Sequence, residues 1–176
     1  RWGRLDAAVA AAAVVAGGVP LWDTPEADLQ LLWDVDVRGV WNTAAVTVPA
    51  MLENADPAGC RFVAIASAAG THGLYRLAGY NAAKHAVVGL VKGLAADLVG
   101  TGVTACAVSP GSTRTPMLQA TAALYGMPDV DAFAGNHLLR RILEPAEVAA
   151  TITHCAGPDG ALFNGSVVHA DGGFAP

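Results

Sequence analysis

The sequence predicts an α/β fold in which a parallel sheet is covered by helices on both faces. Two observations carry this expectation. Short apolar runs alternate with longer helical segments, and those runs are continuously apolar rather than polar at every second position. Strands buried on both faces read in just this way, and parallel neighbours need a helical crossover between them. The 176 residues show no repeat and no low-complexity linker, so one domain is expected.

The elements follow in order. "LDAAVAAAA" (5–13) is a candidate buried strand, although its alanines would also suit a helix. "TPEADLQLLWDV" opens a helix, with Thr24 as N-cap, Pro25 at the first helical position and Glu26 in the first turn. A second helix is expected over 37–54, and "CRFVAIAS" (60–67) is a strand. Residues 80–99 form a long helix closed by Gly100 and Gly102. "GVTACAVSP" (102–110) is the next strand. Residues 111–136 are loop-rich, with a short helical piece around "MLQATAALY". Residues 144–157 form a helix with Pro145 near its start, and "SVVHAD" (166–171) is the last strand. Ligands of such sheets sit beyond the carboxyl ends of the strands. That rule points to Ser67 and to the 109–116 loop.

Composition removes several classes of function. Hydrophobic residues make up 53% and charged residues 14%, which argues against disorder. The net charge of −5 gives no footprint for nucleic acid, and no basic cluster suits an anionic membrane. The longest apolar stretch is broken by Gly17 and Gly18 and is too short to span a bilayer. Cys60, Cys106 and Cys155 form no CxxC and read as buried free thiols of a reducing compartment, so a cytoplasmic protein is expected. His72, His85, His137, His154 and His169 show no metal-ligand spacing. No metal site is expected.

Chemistry concentrates in "YNAAKHAVVGL". Tyr80 and Lys84 lie four residues apart, hence one above the other on one helix face. A free tyrosine, with a pKa of about 10, exchanges protons poorly near neutrality. A cation within roughly 4–6 Å favours the phenolate, so Lys84 is expected to lower the Tyr80 pKa. Ser67, at a strand end, supplies a hydroxyl that polarises a carbonyl. Together they make an acid/base site for carbonyl–alcohol interconversion. A lone YxxxK pair is common on helix surfaces; the added weight comes from Ser67 thirteen residues upstream and from "SPGSTRTPM" after the following strand.

"IASAAG", "YNAAKHAVVGL", "GVTACAVSPGSTRTPM" and "FNGSVVHADGG", in this order, resemble a short-chain dehydrogenase/reductase from about residue 4 to the end. The resemblance implies a Rossmann-like, doubly wound fold and hydride transfer between NAD or NADP and a secondary alcohol or ketone. It makes Tyr80 the catalytic acid/base, Ser67 the group that orients the carbonyl, and Lys84 the ligand of the nicotinamide ribose. Pro110, Gly111, Thr113 and Thr115 would hold the nicotinamide side of the cofactor, and Ala11 and Ala13 would lie beside it. A tetramer or dimer built on the paired long helices is likewise implied. "AGGVPLW" and "AAKHAVVGLVKGLAADL" are similar to the mycofactocin-associated subgroup, which implies tight cofactor retention and a mycofactocin redox carrier as partner.

Three departures from the family pattern stand out. The glycine-rich TGxxxGxG loop and the first three strands have no counterpart, so residues 1–176 are expected to be the carboxyl-terminal, catalytic portion of one domain. Ala10–Ala13 replace Asn-Asn-Ala-Gly. Asp36 stands where the family's helix asparagine completes a catalytic tetrad; it is expected to pair with Lys84 and weaken its pull on Tyr80, or to hold the relay water through its backbone carbonyl, or merely to begin a helix. Asp36→Asn is accordingly expected to preserve or raise activity. These departures leave a second reading, a truncated and non-catalytic remnant or scaffold. Of the remaining residues, His72 is a lesser candidate for the pocket wall, and Trp22, Trp33 and Trp41 are expected in the core or at an interface. Residues 115–136 are expected to form a lid lined by Met117, Leu118 and Tyr125.

Overall fold

The computed structural model describes residues 3–175. Strands β1 (Ala7–Ala10), β2 (Arg61–Ile65), β3 (Thr104–Pro110) and β4 (Val167–Ala170) form one sheet in the order β1-β2-β3-β4, every neighbouring pair parallel. Between them run α1 (Glu26–Leu32), α2 (Arg38–Leu52), α3 (Ala78–Asp97), α4 (Pro116–Leu124) and α5 (Pro145–Ala156).

The period-two geometry of a strand decides which side chain meets which helix. Phe62 and Ala64 of β2 and Ala105 and Ala107 of β3 pack with Val40 and Met51 of α2 and with Val87 and Val91 of α3. Their neighbours Val63, Cys106 and Val108 pack on the other face with Val148 and Cys155 of α5. Both faces are dry, which is why no polar residue alternates along these strands. The α/β fold class is as the sequence implied.

Element ends move by a few residues, with reasons. The run 5–13 is a strand over four residues only, because pairing with β2 ends at Ala10↔Ala64. Thr24 does not cap α1. It closes a short 3₁₀ turn (Leu21–Asp23) and donates its hydroxyl to the Pro20 carbonyl, and Pro25 takes the cap position. Between α1 and α2 lies one π-helical turn, Trp33–Val37, which no 3.6-residue pattern announces. Trp22, Trp33 and Trp41 are 81%, 43% and 61% exposed, so none of them belongs to the core. No helix among the described residues is long and apolar enough to cross a membrane.

Candidate active site

The carboxyl ends of β1, β2 and β3 open into one cleft of about 1020 Å³. Ser67 reaches it two residues beyond β2. Its hydroxyl caps the 3₁₀ turn Ala68–Gly70 by accepting from the Ala69 N–H at 3.2 Å. Gly70 lets this turn sit directly on α3: a Cβ there would lie 2.9 Å from the Lys84 carbonyl oxygen. Tyr80, in the first turn of α3, and Lys84, one turn later, are both buried on the face turned to that contact. The Lys84 ammonium lies 5.6 Å from the centre of the Tyr80 ring.

Ser67, Tyr80, Lys84, Ala11, Ala13, Pro110, Gly111, Thr113 and Thr115 all line this cleft. Asp36 lies behind it, fully buried. The π turn delivers its carboxylate to two partners: Oδ1 accepts from the Val14 N–H at 2.8 Å and Oδ2 stands 3.3 Å from Lys84 Nζ. Lys84 also donates to the Ile65 carbonyl at 3.4 Å. One carboxylate therefore ties the loop after β1, the α1–α2 junction and α3 together. Among the expectations for Asp36, the pairing with Lys84 is observed.

The electrostatics correct the expected role of Lys84. The Tyr80 phenol is pushed up to about 12 rather than down, by burial first; the polar Ser67 side chain pulls the other way, and the charge of Asp36 adds to the rise. Burial lowers the Lys84 pKa, with Asp36 holding it up. Burial, with the charge of Asp36 added, thus keeps Tyr80 protonated well above the neutral range.

This shift has a stability consequence. Between pH 10 and 12 the unfolded phenol ionises while the folded one keeps its proton, so stability is complete below that window and falls as pH rises through it. Two pKa units amount to about 3 kcal/mol. Urea unfolding at pH of about 9 and about 11.5 should therefore show a steeper alkaline loss in the wild type than in Tyr80→Phe, and equal losses would contradict the burial of this phenol.

Other residues were not foreseen. His137 is buried in an irregular stretch with no periodic signal; its Nε2 accepts from the Ser112 N–H at 3.0 Å, and burial lowers its pKa. It thereby holds the Gly111–Thr113 backbone against the segment after β4. Phe174, a cleft residue, packs edge-on against both His137 and His72, at 5.7 Å in each case. His72, the lesser candidate for the pocket wall, faces the Ala68 carbonyl and is not among the lining residues. Met117, Leu118 and Tyr125 do line it, as foreseen. Tyr125 donates to the Tyr75 carbonyl at 2.6 Å and so joins the end of α4 to the loop before α3.

A family model described as enoyl-(acyl carrier protein) reductase matches residues 1–175. A 2,5-dichloro-2,5-cyclohexadiene-1,4-diol dehydrogenase of Sphingobium indicum is 33% identical over 174 residues, which are 98% of this chain and 68% of the relative. The chain belongs to the short-chain dehydrogenase/reductase family. Among other members, an A-factor type gamma-butyrolactone 1'-reductase of Streptomyces virginiae is 34% identical over 175 residues, covering 99% of this chain and 66% of that one. The crystal structure of levodione reductase superposes with a TM-score of 0.90 at 27% identity, over 97% of this chain and 67% of that one. A structure of ElxO with NADP bound gives a TM-score of 0.86 at 26% identity, with the same coverage of 97% and 67%. The chain thus spans about two thirds of the length of these short-chain dehydrogenase/reductase relatives.

Proposed function

We propose that the protein is an NAD(P)-dependent oxidoreductase that interconverts a secondary alcohol with a ketone, or a primary alcohol with an aldehyde. The convergence of Ser67, Tyr80 and Lys84 on one cleft at the strand ends carries this reading. Reductase and dehydrogenase relatives, and one solved with NADP, support it.

The cleft fits a nicotinamide cofactor. Its volume of about 1020 Å³ lies at the top of the range for ligand pockets, leaving room for a nicotinamide ring and a substrate side by side. Lys84 directs one donor to Asp36 and one to Ile65, and an ammonium has three, so one remains for a ribose hydroxyl. The Pro110–Thr115 loop would take the carboxamide side, with Ala11 and Ala13 flanking the ring. Bound there, the nicotinamide would supply or accept the hydride. Ser67 donates to the substrate carbonyl oxygen and fixes its direction. Tyr80, held protonated by burial, gives that oxygen its proton in reduction and takes it back in oxidation. Asp36 positions Lys84 and touches neither substrate nor cofactor.

Residues 1–176 form part of one Rossmann-like domain in this reading. The exposed Trp41 and Val46 of α2, with Gly89 and Gly93 of α3 open to the surface, favour a homo-oligomer built on these two helices. The likeness to mycofactocin-associated enzymes adds a mycofactocin redox carrier as electron partner, in the cytoplasm. The scaffold alternative draws on the Asp36–Lys84 pair, which occupies the cation. Nicotinamide fluorescence separates the two. Titration of reduced cofactor into the protein should show saturable enhancement, retained through gel filtration if the carrier reading holds; no saturable binding would favour the scaffold.

A further inference from the structure

Among the described residues, those that line the cleft carry one charged side chain, Lys84, and it is already directed to Asp36 and to the Ile65 carbonyl. Arg114, in the loop at the cleft edge, is exposed and bound to Asp131 and Glu144. Arg76 stacks over the Tyr75 ring and is not a lining residue. A carboxylate or phosphate on the substrate would thus enter the cleft without a partner, and burying an unpaired charge is strongly unfavourable.

The wall beside the reacting group is mostly hydrocarbon, aromatic ring and thioether. Leu74, Leu77, Met117, Tyr125, Met127 and Phe133 line it, and the Met117 sulfur lies 4.0 Å from the Tyr80 hydroxyl. Ser67 and Tyr80 serve the reacting oxygen. Beyond them, and apart from the cofactor loop, Tyr75, Thr121, Tyr125 and Asn136 are the remaining hydroxyl and amide side chains of the lining among the described residues, and the Tyr125 hydroxyl is already donated to the Tyr75 carbonyl. So few free groups cannot replace the water around a sugar or a polyol, whose unmatched hydroxyls would be desolvated at a cost.

We propose that the substrate is an uncharged, largely hydrocarbon ketone or secondary alcohol, with its oxygen as the chief polar handle. This rests on the oxidoreductase reading above. In reduction the carbonyl carbon takes a hydride, with reduced nicotinamide as the reductant, while the oxygen takes the Tyr80 proton; the C=O π bond breaks and a C–H and an O–H bond form.

The test is ligand-observed NMR and turnover on the whole chain, with 4-tert-butylcyclohexanone, gluconate and sorbitol as probes. The ketone should bind, and Met117→Glu should weaken it about tenfold or more, with Met117→Gln as the milder variant if the first fails to fold. Gluconate and sorbitol should show no saturable binding. Tighter binding of either of them than of the ketone, or ketone affinity unchanged by both Met117 variants, overturns the proposal. The two readings fail separately. Ketone binding without reduction supports this pocket chemistry and counts against the oxidoreductase; turnover of gluconate or sorbitol keeps the oxidoreductase and overturns the substrate class.

Discussion

Tyr80→Phe should lower kcat by about 10²–10⁴-fold, the usual contribution of a positioned proton donor. The ring that packs with Leu32 and Leu77 remains, and only the hydroxyl is lost. Cofactor affinity, which the proposed function assigns to Lys84 and the Pro110–Thr115 loop, should change little. The fall should therefore appear in kcat and in kcat/KM together, as it does when an interaction made only in the transition state is removed. Ser67→Ala should cost less, because the phenol still supplies the proton and only the orientation of the carbonyl is impaired. Initial-rate kinetics with a cyclic ketone and reduced nicotinamide measure both. A Tyr80→Phe enzyme within about threefold of wild type would remove Tyr80 from the chemistry.

Asp36→Ala should lose about 3–5 kcal/mol of unfolding free energy, because it leaves the buried Lys84 ammonium uncompensated. It also strands the Val14 N–H, which now donates to Oδ1. Asp36→Asn should lose less, since the amide oxygen can still accept from Val14 while the charge is gone. The expectation that Asp36→Asn preserves or raises activity concerns turnover; the stability cost arises because the position is a buried junction of three segments. The same substitution removes the charge that holds the Lys84 pKa up against burial and the charge that raises Tyr80, so both should fall. The double variant Asp36→Asn with Lys84→Met should recover stability relative to either single change, because no unpaired charge is then buried. Urea denaturation of the four proteins measures the cycle. Additive losses would show that the 3.3 Å pair has no energetic coupling.

Much of this was legible before any coordinates. The continuous apolar runs of β2 and β3 implied two covered faces, and Cys106 and Ala107 do point to opposite ones. The four-residue spacing of Tyr80 and Lys84 placed both on one face because helix geometry allows little else. Their meeting with Ser67 needed more: a turn small enough at Gly70 to rest on α3, which spacing alone does not reveal. The sign of the Tyr80 shift was misjudged because sequence shows which charges are near and not how deeply a group is buried, and here desolvation outweighs them. The π turn and His137 escaped for a related reason. Neither has a periodic signature; each exists through tertiary contacts, with Lys84 in one case and with Ser112 in the other.

The proton donor can be tested by stopped-flow single turnover, with protein in excess and reduced nicotinamide fluorescence as the signal. At equal cofactor occupancy, mixing with cyclic ketone should quench the fluorescence of the wild type in a saturable phase and that of Tyr80→Phe about 10²–10⁴-fold more slowly. Quenching of the two proteins at one common rate would contradict the account.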